Sequence, residues 1–108
     1  MKLAKSIYSA SHSLGNNKLR IIGGQWRSRK LPFIAVSGLR PTPDRVRETL
    51  FNWLANYVVN SRCLDVFAGS GALSFEALSR GAAEARLIDN SPQVIAQLTT
   101  NINTLLFH

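Results

Sequence analysis

The sequence predicts an α/β fold, a parallel β-α-β unit preceded by a β-hairpin, and three stretches predict it. Residues 64–73 run from an apolar strand carrying Asp65, through Gly69 and Gly71, into a helical pattern. Residues 84–89 read as a second short strand ending in Asp89, 18 positions beyond Gly71. Upstream, residues 19–31 read as two strands around Gly23-Gly24, a pair suited to a hairpin turn. At 108 residues the chain is at most one small domain, and it contains no internal repeat.

The elements follow in order. Residues 1–18 are Ser-rich, basic and free of acids, which predicts a solvated, disordered tail rather than an organellar presequence. Residues 19–41 hold the hairpin and a connector containing Pro and Gly, and residues 42–108 hold the β-α-β region. Thr42-Pro43-Asp44 starts a helix, with a capping hydroxyl, Pro at the first helical position and an acid in the first turn. Val46, Leu50, Leu54 and Val58 recur at spacing four and predict a core-facing stripe, with Trp53 and Tyr57 beside it. Arg45, Arg47 and Glu48 fall off that stripe and are expected at the surface. The first strand of the β-α-β unit covers residues 63–68, and its helix covers 72–80 with Gly81 as C-cap. After the second strand, Ser91-Pro92 starts a helix whose apolar face is Val94, Leu98, Ile102 and Leu105.

Composition narrows the setting. No apolar run approaches a membrane span, and the N-terminus lacks the apolar segment of a signal peptide. The single cysteine, Cys63, cannot form an internal disulfide; it reads as a buried small hydrophobe in a chain suited to a reducing cytoplasm. Charge is uneven. Residues 1–50 carry ten Lys/Arg against Asp44 and Glu48, whereas residues 51–108 carry three Arg against four acids. The net +7 therefore resides in the leading half and suggests a polyanionic partner. Arg20, Arg27, Arg29 and Lys30 could hold phosphates, and Trp26 could stack on a base. Trp26 serves equally well as a packing residue, and Arg40 and Arg47 serve as a solvated face or as an extension of the basic surface.

The glycine turn is the candidate binding site. Gly69 and Gly71 permit positive φ and close approach of a ligand, and the helix start behind them favours an anionic group. The dinucleotide pattern G-x-G-x-x-G is incomplete, because Ser74 stands at its third glycine. No Gly-Lys-Ser/Thr follows, so a P-loop is excluded. Asp65 would repel a pyrophosphate at close range. S-adenosylmethionine suits the pattern better: its carboxylate can face the helix start, its ammonium and sulfonium can sit near Asp65, and Asp89 can take the ribose hydroxyls. A plain strand-to-helix turn at Gly69–Gly71 and a plain helix cap at Asp89 remain open at this stage. Asp65 is harder to explain structurally, since an acid within an apolar strand is costly unless paired.

The stretches LRIIGGQWRSRKL (19–31), LRPTPDRVRETLFNWL (39–54), CLDVFAGSGALSFEALSRG (63–81) and residues 87–89 resemble the bacterial 16S ribosomal RNA guanine-N2 methyltransferases of the RsmD type. The resemblance implies a Rossmann-like, S-adenosylmethionine-dependent methyltransferase fold, truncated here after its second strand and the following helix. It implies methylation of a guanine exocyclic amine in small-subunit ribosomal RNA, within an assembling ribonucleoprotein, and no metal. Carried over by position, Asp65, Phe67, Ala68, Gly69 and Gly71 line the methionine side of the cofactor and Asp89 holds the ribose; the segment at Arg40 lies near cofactor or RNA.

The family's catalytic segment, Asp/Asn-Pro-Pro-aromatic, has no counterpart. The prolines are Pro32, Pro41, Pro43 and Pro92, no two adjacent, and no catalytic residue is assigned. Neither His12 nor His108 suits the role, since both lie in poorly patterned terminal segments. With only two strands of a seven-strand sheet, the isolated chain is expected to leave strand faces uncovered and to be marginally stable or aggregation-prone. Two alternatives are an inactive RNA- or cofactor-binding remnant and a fragment of a nicotinamide-dependent oxidoreductase. Ser74 and Asp65 argue against the latter.

Overall fold

The computed structural model of the chain describes residues 2–3, 17–34, 42–66 and 68–107. Its elements run β1 (Lys2–Leu3), β2 (Lys18–Arg20), β3 (Lys30–Pro32), α1 (Asp44–Trp53), α2 (Ala55–Val58), β4 (Arg62–Asp65), α3 (Ala72–Ser79), β5 (Glu84–Leu87) and α4 (Pro92–Phe107).

The expected β-α-β unit is present. β4 and β5 pair in parallel from Arg62↔Glu84 to Asp65↔Leu87, with α3 as the connection between them. The two strands separate later than their ladder suggests, because the Ile88 amide donates to the Asp65 carbonyl and the Ala68 amide donates to the Ile88 carbonyl. Asp65 and Asp89 are thereby brought to the same edge of the sheet. Ser91 caps α4 as its sequence suggests: its hydroxyl accepts from the Val94 amide at 3.3 Å, and Pro92 occupies the first helical position.

One core joins the hairpin to this unit. Phe75 of α3, Leu87 of β5 and Leu98 of α4 pack in a single buried cluster with Leu19, Ile21 and Leu31 of the hairpin. Each such side chain contributes about 1.5–3 kcal/mol when fully buried. The hairpin is thus a wall of the core rather than an appendage. Asn101 of α4 secures it further, its side-chain amide donating to the Pro32 carbonyl at 2.7 Å.

Several expectations need correction. Within residues 1–18, expected as a disordered tail, Lys2–Leu3 form a strand parallel to β5 and Lys18 opens β2. The open edge of β5 supplies unpaired backbone groups that a short strand can satisfy. The hairpin does not turn at Gly23-Gly24. Its strands pair from Lys18↔Pro32 to Arg20↔Lys30, and residues 21–29 form a loop pressed onto the end of α3. Gly24 has φ +82°, and a Cβ there would lie 2.0 Å from the Ser79 carbonyl oxygen, so its small size serves a close approach.

The first helix also differs. Thr42 makes no cap; Pro43 is the N-cap residue and carries no side-chain bond. The helix breaks at Leu54, and its buried side runs through Arg47, Phe51 and Val58, leaving Val46, Trp53 and Tyr57 exposed. Arg47, expected at the surface, is 1% exposed. The reason is a buried acid, Glu76 of α3, whose Oε1 lies 3.4 Å from Arg47 Nε. An isolated buried charge is costly, and opposite charges compensate one another. Cys63 is half-buried, its sulfur 3.4 Å from the Ser61 hydroxyl.

Among the described residues, the sheet is covered on one face only. Ala85 and Leu87 point into the core, whereas Leu64, Val66 and Ile88 are exposed on the other face. Among the described residues, no helix is long and apolar enough to cross a membrane.

Candidate cofactor site and basic surface

The site forms where β4 ends. The chain leaves Asp65, turns through Ala68, Gly69 and Ser70, and enters α3 at Gly71. Gly69 and Gly71 both have positive φ, +53° and +80°. Gly71 is required for a second reason: a Cβ there would lie 2.5 Å from the Phe75 ring and 2.8 Å from Leu98. Its smallness serves the core under the turn, and the turn's upper side is left to the backbone.

Both acids are held. Asp65 is half-buried, and its Oδ2 accepts from the Ser74 hydroxyl at 2.8 Å. The residue that interrupts the dinucleotide pattern is therefore the partner of the acid that the pattern lacks. Asp89 accepts twice, from the Gly69 amide at 3.0 Å through Oδ2 and from the Ser91 amide at 3.0 Å through Oδ1. It bonds the amide of Ser91, the residue whose hydroxyl caps α4, rather than a helix amide, and it also ties the glycine turn to the end of β5. Each carboxylate oxygen has two lone pairs, so both acids retain acceptor capacity.

Donors complete the arrangement. The Ala72 amide is taken by the Ser70 hydroxyl at 3.3 Å, a bond that sequence reasoning missed although a serine two positions before a helix amide is its usual signal. The Leu73 and Ser74 amides have no hydrogen-bond partner among the described residues. Free amides at a helix start attract an anion. One edge of the sheet thus offers two amide donors and two carboxylates, which fits a ligand bearing both a carboxylate and a cation. Phe67 lies outside the described residues, and Ala68 is buried beside the turn.

The basic candidates divide by surroundings. Arg27 and Lys30 are exposed. Arg20 is exposed and pairs with Asp44 at 3.2 Å. Arg29 donates to the Thr104 carbonyl at 3.3 Å in the last turns of α4, a favourable place for a cation. Trp26 is half-buried against the main core, so packing is the role its surroundings display. Arg40 lies outside the described residues. Among the described residues, no group of three His, Cys, Asp or Glu is placed to hold a metal ion.

The solved Escherichia coli chain described as methyltransferase yhhF matches this structure with a TM-score of 0.75 and 62% identity, over 84% of this chain and 50% of that one. The α/β arrangement described above is accordingly consistent with an α/β methyltransferase fold. Residues 19–108 match the family described as Conserved hypothetical protein 95, and the chain belongs to that family. Ribosomal RNA small subunit methyltransferase D of Escherichia coli (strain K12) is 62% identical over 95 residues, which cover 88% of this chain and 48% of that protein. The protein of the same description from Haemophilus influenzae is 56% identical over 88 residues, covering 82% of this chain and 46% of that protein. The chain spans about half the length of the curated relatives it matches.

Proposed function

We propose that the chain carries the cofactor-binding half of an S-adenosylmethionine-dependent methyltransferase that modifies a guanine N2 in 16S ribosomal RNA. One observation carries the cofactor reading: Asp65 and Asp89 flank a turn whose following helix presents the amides of Leu73 and Ser74, which have no partner among the described residues. The relatives named as small-subunit ribosomal RNA methyltransferases support the substrate class.

The residues divide the work by charge. The Leu73 and Ser74 amides receive the methionine carboxylate, Asp65 faces the cationic end, and Asp89 accepts from the ribose hydroxyls. The Ser74 hydroxyl keeps Asp65 oriented, and the Gly69–Asp89 bond keeps the two halves of the cradle in register. When bound, the cofactor supplies an electrophilic methyl group. The guanine amine is a poor nucleophile because its lone pair is delocalised, so positioning supplies much of the rate. No residue among the 108 is assigned to hold that amine. The exposed Arg20, Arg27 and Lys30 serve the RNA backbone, with Arg40 in the same role.

Titration calorimetry with S-adenosylhomocysteine and with NAD tests the cofactor reading. Binding of S-adenosylhomocysteine alone is expected; NAD binding without it would overturn the reading. Incubating the chain with small-subunit RNA and labelled methyl donor is expected to give no turnover, and activity would reveal a catalytic group within these residues.

A further inference from the structure

We propose that a recess at the carboxyl end of α3 is a second anion site, which binds one phosphodiester of the RNA backbone through Arg20, Arg27 and Arg80. It deepens the RNA-methyltransferase reading and rests on it. The recess encloses about 400 Å³ between the loop after β2, the outer side of α1 and Arg80. It lies at the opposite end of α3 from the glycine turn, ~12 Å away at 1.5 Å per residue. The two sites are therefore separate, yet joined by one short helix.

Arg80 makes this a built site. Its Nε donates to Glu76 at 2.8 Å, and its guanidinium lies 5.4 Å from the centre of the Phe51 ring. A Cβ on Gly23 would come within 3.0 Å of Arg80 Cζ, so that glycine leaves room for the head group. The terminal nitrogens of Arg80 make no hydrogen bond among the described residues, although the side chain is only 19% exposed. A guanidinium already fixed by three neighbours loses little freedom on taking an oxyanion.

Glu76 fixes the other wall. Fully buried, it accepts from the Ile22 and Gly23 amides at 2.9 Å each, which holds the loop after β2 against α3. That loop presents Arg27, which is exposed and has no side-chain partner among the described residues. Arg20 enters from the end of β2, with only one terminal nitrogen engaged by Asp44.

Charge selects the ligand. Around the recess Arg20, Arg27, Arg47 and Arg80 face Asp44, Glu48 and Glu76, leaving one positive charge in excess. A phosphodiester carries one negative charge and matches it. A nucleoside triphosphate would bring several and would meet Glu48. Arginine forks suit phosphate oxygens geometrically as well.

The salt dependence of binding to a short labelled single-stranded RNA, read by fluorescence anisotropy with the whole chain, tests the proposal. Arg27→Ala is expected to reduce the slope of log K against log salt by about 0.7, the single-strand value for one phosphate contact. Arg27→Lys is expected to keep the slope. Arg45→Ala, which removes an exposed cation of α1 outside the recess, is expected to keep it too. An unchanged slope in Arg27→Ala, or an equal loss in Arg45→Ala, would overturn the site in favour of diffuse charge. So would displacement of the RNA by polyglutamate as effective as by unlabelled RNA. S-adenosylhomocysteine binding, measured on the same samples, separates the two failures. A chain that binds it while Arg27→Ala leaves the slope intact loses the recess alone; a chain that does not bind it loses the cofactor reading.

Discussion

The Ser74 hydroxyl donates to Asp65 at 2.8 Å, across nine positions of sequence, and so joins the first helix of the β-α-β unit to the acid of its first strand. Removing that hydroxyl frees Asp65 to rotate and leaves it without its partner. Ser74→Ala is expected to weaken S-adenosylhomocysteine binding about fivefold, the equivalent of about 1 kcal/mol for one hydrogen bond. Ser74→Gly completes the dinucleotide pattern yet is expected to confer no NAD binding, because Asp65 still faces the turn. Calorimetry with both ligands checks the pair.

Asp89 presents the complementary case, because both of its oxygens accept backbone amides. An asparagine retains one acceptor and turns an NH2 group toward the other amide. Asp89→Asn is expected to destabilise the chain by about 2 kcal/mol, in line with hydrogen bonds to a charged group, and to weaken S-adenosylhomocysteine binding about tenfold. A denaturant titration and a calorimetric isotherm check the two effects. An unchanged affinity would confine Asp89 to its two backbone bonds.

How much of this was legible in the sequence depended on whether a feature is local. The β-α-β unit showed because its glycine turn and its Ser91-Pro92 cap are local patterns, the Ser91 hydroxyl meeting an amide three positions on, whereas the bonds of Asp65 to Ser74 and of Asp89 to Gly69 reach nine and twenty positions and were not foreseen. The burial of Arg47 did not show, because besides the neighbouring Asp44 its partners are distant in sequence: the Arg20 carbonyl lies 27 positions away and Glu76 lies 29 away on another helix. Periodicity counted Val46 into the core and Arg47 out of it, and a single buried acid rotated the helix the other way. The Gly23-Gly24 pair signalled positive φ correctly at Gly24, but composition does not distinguish a tight turn from a backbone laid against a neighbouring carbonyl.

Glu76 makes the strongest claim on stability. Itself fully buried, it accepts two loop amides and meets the buried Arg47 and the partly exposed Arg80. Glu76→Ala leaves the two loop amides without their acceptor and the buried Arg47 with Asp44 as its remaining acid partner among the described residues, and is expected to cost about 3–5 kcal/mol, enough to leave the chain largely unfolded. Glu76→Gln keeps one acceptor oxygen for the loop, turns an NH2 group toward the other amide and loses the charge, and is expected to fall between the two. Circular dichroism under denaturant orders the three proteins; equal stability of Glu76→Ala and the parent would refute the network's role.

Gly24 and Gly81 separate steric contact from backbone strain. Both have positive φ, but a Cβ on Gly24 would lie 2.0 Å from the Ser79 carbonyl oxygen, while on Gly81 its nearest neighbour, Val59, is 3.5 Å away. Gly81→Ala is expected to cost about 1 kcal/mol, from strain alone. Gly24→Ala adds a backbone clash that no side-chain rotation relieves, and is expected to cost at least twice as much. Denaturation midpoints of the two variants check the order, and the reverse order would show that the loop shifts freely off α3.

The open sheet face makes the last prediction. Leu64, Val66 and Ile88 are 64%, 48% and 38% exposed, beside a β4 edge that pairs only with β5 among the described residues. Exposed apolar strands with free edges associate with one another. These side chains contribute little to the buried core, so replacing Leu64 of β4 and Val66 just after it by Thr removes the sticky surface while placing a residue of good β-propensity at both positions. The double variant is expected to lower light scattering at a given concentration and to leave the melting temperature within a few degrees of the parent, which changes by ~4–8 °C per kcal/mol in a domain of this size. A large drop in melting temperature would show that the face is buried in the isolated chain, by self-association or by residues outside those described. A parent chain that melts cooperatively within the mesophile range of roughly 45–65 °C and scatters no light would show that one covered face is sufficient for this sheet to stand alone.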